Sequence, residues 1–318
     1  MFVRELADGQ DVDQVLLVRE SGVRTRRDGT DLLRLSLGDR TGAVTAIVTE
    51  SAPELARVGP AGACVKIVGR YEIDPRHGAQ IVLRHLRAAR PEEYELDDLL
   101  DGPPRPVASM EAALRDLIAQ VRSAHLRALL DHVLGPEAPT WPLFRDAPAA
   151  KRYHQAYRHG LLEHSLSVAE AVAVISTTFP GIDRDVAITG ALLHDIGKLD
   201  AYTADPLAID MTDLGKLHGE IALGYFRIRS AIEELPGFPE ELAAAVLHII
   251  LSHHGQLEHG SPVVPATREA TLVHAIDNLG GKLGSFDRLE KQLPHGSAWS
   301  GYDRALGGAA HFAARQAA

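Results

Sequence analysis

An apolar run that ends on two adjacent metal-binding side chains constrains this chain more than any other feature. Residues 191–193 are Ala-Leu-Leu, and His194 and Asp195 follow them directly. Neighbouring positions of a helix point about 100° apart, so both side chains can hold one ion only near a helix end. Gly197 indicates such an end, because a glycine lets the backbone turn away. The sequence therefore predicts a helix that ends on a metal site.

Further candidate ligands lie at or beside the apolar faces of other predicted helices. His164 begins an apolar stripe, and His253 extends the stripe of a later helix at its carboxyl end. Each histidine alone is better explained as a core histidine bonded to a carbonyl. Asp277 follows apolar positions on a third helix, where a carboxylate is costly to bury without a cation. One metal site explains all of them together. The candidate ligands are His164, His194, Asp195, His218, His253, His254 and Asp277.

The ligand types restrict the ion. Imidazoles and carboxylates without a thiolate favour Mn, Fe, Co, Ni or Zn over Ca or Mg alone. The candidates exceed the needs of one ion, whereas two divalent transition-metal ions that share Asp195 would use them all. Paired ions about 3.5–4 Å apart are a recurrent device for phosphodiester hydrolysis. Lys198, one turn beyond Asp195, is predicted to contact a phosphate oxygen. Its alternative role is that of a cation at a helix carboxyl end.

The spacing of these residues resembles the HD superfamily of metal-dependent phosphohydrolases. Residues 147–151, 160–164, 251–255 and 276–279 resemble, more closely, the YhaM-type 3′→5′ exoribonucleases. The resemblance runs from near residue 10 to about residue 290 and is specific over 147–283. It implies an amino-terminal OB-fold, a helical HD domain, Mn-dependent removal of nucleotides from the 3′ ends of RNA and single-stranded DNA, and a cytoplasmic bacterial setting. Gln155 departs from the paired histidines that such proteins often carry, so any role of the second histidine would be lost.

The chain is predicted to combine an α and a β domain. Up to residue 90, five extended runs separated by turns suit a small barrel of the OB type, with an SH3-like barrel as the alternative. Residues 91–107 are acidic and proline-rich, which predicts a linker. From residue 108 to 318 the pattern predicts an all-α HD domain, beginning with a helix over 110–134 that Ser109 caps. The five predicted strands cover residues 12–19, 32–37, 44–49, 65–71 and 80–87.

Charge bears on the predicted RNA partner. A net charge of −10 argues against binding nucleic acid by bulk attraction. A local basic strip could still contact phosphates, although a solvated surface interleaved with acids is the alternative. Aromatic residues are scarce before residue 100, which predicts phosphate contacts rather than base stacking in the barrel. The predicted RNA contacts are Arg24, Arg26, Arg27 and Arg34, and the strip could extend to Arg19, Arg84, Arg87 and Arg90.

The remaining features concern the compartment. The single cysteine, Cys64, excludes an internal disulfide framework and is predicted to be a packed core thiol. The first residues have no apolar targeting segment, and no run is long enough to span a bilayer. We therefore expect a cytoplasmic protein with no membrane partner. A homo-oligomer is left open.

Three functions from different classes fit the sequence. The first is a metal-dependent 3′→5′ exoribonuclease, the second an HD phosphohydrolase acting on a nucleotide or a cyclic dinucleotide, and the third a nucleic-acid-binding module with a structural metal. Structural sites are usually four-coordinate and closed, so the surplus of ligands disfavours the third. A barrel favours the first over the second. The Gly-Tyr-Pro signature of cyclic-dinucleotide HD enzymes is also absent from residues 254–260.

Overall fold

A computed structural model describes residues 1–25, 29–48, 52–74, 78–151, 155–203, 205, 207, 209–291, 293 and 297–313. The chain divides into two compact units. Unit 1 combines Met1–Asp101 with Phe286–Ala318, and unit 2 is Gly102–Ser285. Within the described ranges, no helix is long and apolar enough to cross a membrane.

Unit 1 contains the predicted five-stranded barrel. Its strands close in the order β1-β2-β3-β5-β4, and every pair is antiparallel except β3 with β5. Side chains alternate between the inside and the outside of the barrel along each strand. In β2, Leu33, Leu35 and Leu37 point into the barrel core while Arg34 points outward. The prediction of a barrel with five strands is confirmed. The strands are β1 (Asp11–Thr25), β2 (Asp31–Asp39), β3 (Gly42–Val48), β4 (Cys64–Asp74) and β5 (Gly78–Ala88), with helix α1 (Ala52–Val58) between β3 and β4.

The acidic segment after the barrel packs against it. A 3₁₀ helix (Pro91–Glu93) and helix α2 (Leu96–Leu99) form in the first part of the predicted linker. Acidic side chains of this segment meet arginines of the strands, which explains why unit 1 extends to Asp101 rather than ending near residue 90. The ion pairs are Arg87 with Glu93 at 2.6 Å, Arg40 with Asp98 at 3.2 Å, and Arg19 with Asp101 at 2.9 Å.

Unit 2 is helical and buries one large apolar core. The predicted single helix over 110–134 is wrong, because Ser123 begins a second helix by accepting the Leu126 N–H through its hydroxyl. The helices are α3 (Val107–Ala119), α4 (Ala124–Leu134), α5 (Trp141–Asp146), α6 (Gly160–Ile175), α7 (Arg184–Leu193), α8 (Lys198–Ala201), α9 (Asp213–His218), α10 (Glu220–Glu233), α11 (Glu240–Ser252) and α12 (Arg268–Lys291). The last residues of α12, from Phe286, are assigned to unit 1.

The chain does not stay helical to its end. Strands β6 (Trp299–Asp303) and β7 (Gly308–His311) form an antiparallel hairpin that groups with the barrel in unit 1. The prediction that all residues after 108 are helical is therefore wrong for this segment. Gly301, Gly307 and Gly308 fall within it, and glycines of this kind favour turns and extended structure over a helix.

Gly197 lets α8 and α10 approach each other closely. Its φ of −68° is ordinary helical backbone. The turn of the chain after α7 therefore does not use the conformational freedom of this glycine, although the sequence predicted that it would. A Cβ at this position would instead overlap the Glu220 carbonyl oxygen and the backbone nitrogen of Gly224. The glycine is therefore required for space beside the first turns of α10.

We expect Gly197→Ala to destabilise the protein by about 1–3 kcal/mol, the usual cost of overpacking a close contact. The backbone of α10 would have to move to make room for the methyl group. Gly280→Ala is the matched control, because a Cβ there meets nothing within 4 Å and α12 is helical at that position. Thermal unfolding of both variants measures the difference. Equal midpoints for the two alanine variants would contradict the packing role of Gly197.

Candidate metal centre

Helix ends and helix faces bring the predicted ligands together. His194 follows the last residue of α7, and His253 occupies the same position after α11. Both helices bury apolar residues along their length, which drives these ends into the core. His164 lies in the second turn of α6, and Asp277 lies on α12. His164, His194, Asp195 and His253 are each at most 3% exposed.

The rings of four histidines are oriented by hydrogen bonds to Nδ1. The acceptors are oxygens, which cannot donate, so each Nδ1 carries the hydrogen and each Nε2 presents a lone pair when the ring is neutral. Such bonds to the far nitrogen are the usual way in which proteins orient metal-binding imidazoles. The bonds join His194 to the Ala191 carbonyl at 2.7 Å, His253 to the Ile250 carbonyl at 2.7 Å, His254 to the His259 carbonyl at 2.9 Å, and His164 to Gln155 Oε1 at 3.0 Å.

Two groups of ligand atoms result. In the first, His164, His194 and Asp277 place ligand atoms within 4.8 Å of one another. The His164 Nε2 atom lies 3.2 Å from His194 Nε2 and 3.1 Å from Asp277 Oδ1. In the second group, Glu220 joins His253 and His254 under the same limit.

Asp195 lies between the two groups and directs one oxygen toward each. Its Oδ2 atom is 3.2 Å from His164 Nε2 and 3.3 Å from His194 Nε2. Its Oδ1 atom is 3.5 Å from His253 Nε2. A carboxylate placed in this way can serve as a shared ligand of two ions.

The centre fits a divalent cation. The buried His253 Nε2 makes no hydrogen bond to the described part of the chain, although it aims at Asp195. Lone pairs of several imidazoles and oxygens of three carboxylates converge on one small volume, which is unfavourable unless positive charge lies between them. The donors are nitrogen and oxygen without a thiolate, as the sequence predicted.

The ionisable groups respond strongly to one another. Burial disfavours a charged imidazole, yet Asp195 and Asp277 outweigh it and raise the pKa of His194 to about 10. The same carboxylates raise the pKa of His164 against the effect of burial. Burial also opposes ionisation of Asp195, but Lys198 and His194 hold its pKa well below the usual value. Without a metal, the centre therefore retains protons to balance its carboxylates.

Lys198 is buried beside Asp195. Its Nζ donates to Asp195 Oδ2 at 2.7 Å. Lys198 begins the four-residue helix α8 and therefore also lies in its last turn, so its position suits the alternative role of a cation near a helix carboxyl end as well. Lys198 neutralises part of the negative charge of the centre, and its contact with a phosphate oxygen stays a prediction.

His218 is not brought into either group of ligand atoms found among the described residues. It is exposed at the end of α9, and Gly219, with φ of 74°, separates it from the start of α10. Glu220 takes the place expected for His218, with Oε1 3.3 Å from His254 Nε2. The sequence gives no distinct signal for this role of Glu220, because the helix dipole already explains an acid at the first position of a helix.

Gln155, the departure from the paired histidines, orients a candidate metal ligand. Its side-chain oxygen accepts from His164 Nδ1, as given above, and its backbone has φ of 54°. The backbone is held there because the Gln155 carbonyl accepts the Ala149 N–H at 3.1 Å. From the sequence, the replacement of a histidine by Gln155 implied only the loss of a function. The structure shows that Gln155 orients the His164 ring.

The structure describes two of the four arginines that were predicted to contact RNA. Arg24 and Arg34 are exposed, and the register of β1 with β2 puts them on one outer face. Arg26 and Arg27 lie outside the described residues. Much of the remaining strip is neutralised within unit 1. Besides the pairs given for Arg19 and Arg87, Arg84 binds Asp11 at 2.9 Å, and Arg90 lies 3.3 Å from Glu93.

We expect Gln155→Leu to weaken metal binding by about 10–100-fold, the usual effect of removing the partner that orients a ligand histidine. Leucine has a similar size but cannot accept the His164 Nδ1–H. Gln155→Glu is the control, since it keeps an acceptor at the same reach. Calorimetric titration of the metal-free protein with Mn²⁺ measures both affinities. If the leucine variant binds as tightly as the glutamate variant, the orienting role is refuted.

Binding of Mn²⁺ should release protons, and the affinity should increase with pH. A ligand imidazole must be neutral, whereas the pKa of His194 is about 10 and that of His164 is raised. At neutral pH a metal must therefore displace protons from the centre, and a higher pH reduces this competition. Titrations in buffers of different ionisation enthalpy count the protons. An affinity that stays constant between about pH 6 and pH 8 would contradict this linkage.

Comparison with known proteins agrees with this geometry. Residues 161–281 match the HD domain family. A 3′-5′ exoribonuclease YhaM of Bacillus velezensis is 32% identical to the chain over 288 residues, which is 90% of each protein. The YhaM of Bacillus subtilis is 31% identical over the same share of each, and that of Bacillus pumilus is 31% identical over 290 residues. The chain therefore belongs to the YhaM family of 3′-5′ exoribonucleases and carries its HD domain in unit 2.

Proposed function

We propose that this chain is a metal-dependent 3′→5′ exoribonuclease. It would hydrolyse phosphodiester bonds of single-stranded RNA from the 3′ end and release nucleotides, with single-stranded DNA as a second substrate. One observation carries the proposal: Asp195 directs its two oxygens toward two separate groups of ligands. The relatedness to YhaM exoribonucleases along most of the chain supports the choice of substrate.

Two divalent ions would supply positive charge at the scissile phosphate and a water that ionises near neutral pH. Manganese is our first choice among Mn, Fe, Co, Ni and Zn, because the donors include several carboxylates and no thiolate. His164, His194 and Asp277 would hold one ion, and Glu220, His253 and His254 the other. Asp195 would be the ligand they share.

The protein groups around these ligands have separate tasks. The carbonyl oxygens and Gln155 hold the four imidazoles with Nε2 toward the centre, so little reorganisation is needed when substrate arrives. Lys198 holds Asp195 in place and adds a fixed positive charge. We further propose that its ammonium group contacts a phosphate oxygen of the substrate. Burial of the ligands on unit 2 keeps these interactions strong by limiting water around them.

Unit 1 is proposed to bind the RNA strand. Arg24 and Arg34, exposed on one face of the barrel, are proposed to contact backbone phosphates. Barrels of the OB type bind single strands through such faces in many proteins.

Asp195→Asn should reduce hydrolysis by roughly 10³-fold or more, since loss of several kcal/mol of charge stabilisation has that effect on rate. The fold should persist, because asparagine keeps the size of the side chain. The matched control is His218→Ala, which changes an exposed histidine outside both ligand groups and should leave activity intact.

The assay uses one RNA labelled in turn at its 5′ and 3′ ends, with Mn²⁺ added or chelated. A 3′→5′ exonuclease shortens the 5′-labelled RNA gradually and releases the 3′ label at once as a nucleotide. Hydrolysis that survives exhaustive chelation would exclude a metal mechanism. Internal cuts, or shortening from the 5′ end, would exclude the proposed direction.

A further inference from the structure

The carboxyl-terminal hairpin, β6 with β7, has an irregular register that brings two aromatic residues to one face. Trp299 pairs with His311, and Tyr302 pairs with Ala309. Between these pairs β6 advances by three residues and β7 by two, so β6 contains a bulge. Without the bulge, positions 299 and 302 would face opposite sides of the strand. With it, Trp299 and Tyr302 share a face.

The two faces of the hairpin differ in burial. Asp303 and Ala310 are buried, and Asp303 is paired with Arg288 of α12. On the other face, Trp299 is 59% exposed and Tyr302 is 77% exposed. Their partners Ala309 and His311 are exposed as well, and the His311 ring centroid lies 4.7 Å from that of Trp299. An outward face of a short sheet normally carries polar residues, so open aromatic rings here require an explanation.

The charge of the hairpin is unlike that of the whole chain. The protein has a net charge of −10, yet the acid of the hairpin, Asp303, is buried and neutralised by Arg288. Burial disfavours its carboxylate, but Arg288 and backbone N–H groups outweigh this and lower the pKa of Asp303. Arg304 in the connecting turn is exposed. The outward face therefore presents aromatic rings, and the turn that connects its two strands carries an exposed cation.

The aromatic rings at the barrel are covered or buried, unlike those of the hairpin. Phe2 is covered by the Arg40 guanidinium, 4.4 Å from the ring centroid. Tyr71 is buried, and Tyr94 is part-buried and shares a hydrogen bond with Cys64. Within the described part of unit 1, the open rings are thus concentrated on the hairpin rather than on the barrel.

We propose that the outward face of this hairpin is a stacking platform for the bases of single-stranded RNA, with Trp299 and Tyr302 as its two rings. This inference rests on the proposed function, because RNA is the expected substrate. Every base has a π face, so stacking holds a strand without selecting its sequence. Arg304 would attract the backbone of the same strand. The described residues of the hairpin include no exposed acid that would repel a phosphate backbone, because Asp303 is buried.

Tryptophan fluorescence tests the platform directly in the full-length protein. The chain has two tryptophans, and the other, Trp141, is buried under Arg115 in unit 2. Titrating the Asp195→Asn protein with a single-stranded oligoribonucleotide of mixed sequence should quench the emission of Trp299. Trp299→Phe should remove the quenching but keep most of the affinity, because phenylalanine still stacks.

Affinity measurements with a labelled RNA of the same sequence complete the test. Trp299→Ala and Tyr302→Ala should each weaken binding by roughly 5–150-fold, the range expected for one lost stacked base. Phe226→Ala, which removes a ring 71% exposed on α10, should leave the affinity unchanged. Equal affinity of wild type and Trp299→Ala would overturn the platform. Dissociation of an oligomer by Trp299→Ala, without loss of RNA affinity, would overturn it in favour of a contact between copies.

The outcomes separate this inference from the proposed function. Shortening of RNA by the wild-type protein, with no quenching in the Asp195→Asn protein, overturns the platform and leaves the exoribonuclease standing. Quenching without any shortening overturns the exoribonuclease and supports the hairpin as a surface that binds single strands.

Discussion

The packing of unit 2 depends on how the buried carboxylate of Asp195 is neutralised. A single negative charge in an apolar core is unstable alone, and here Lys198, His194 and His164 surround it within 3.3 Å. These partners come from α6, α7 and the start of α8, so the charge can be satisfied only when those elements pack together. Burial therefore ties the fold of the helical unit to the chemistry of its centre.

Helix ends make this arrangement possible. The last carbonyls of a helix lack partners within that helix. His194 donates to one such carbonyl of α7 and His253 to one of α11, and these bonds fix the two rings. The same local geometry thus appears twice, once for each group of ligands. A loop could present the same side chains, but it would hold them less rigidly.

Much of the centre was predictable because its residues combine burial with polarity. His194, Asp195, His164, His253 and Asp277 all lie on apolar faces, and that conflict is visible in a sequence. Glu220 was not predictable by this rule, since an acid at a helix start has an ordinary explanation and His218 stands two positions away. Gly219, with φ of 74°, rotates the chain between them. The close packing of α10 against Gly197 was not predictable either, because it does not change the hydrophobic periodicity of the sequence. The same holds for the bulge in β6.

The ion pairs that join the acidic segment to the barrel also affect how strongly the binding of a nucleic acid depends on salt concentration. Arginines already neutralised by Glu93, Asp98 and Asp101 displace few counterions from a nucleic acid. The release of counterions then contributes little to the free energy of binding a nucleic-acid strand. A strand held by few electrostatic contacts can advance by one nucleotide without breaking many of them at once.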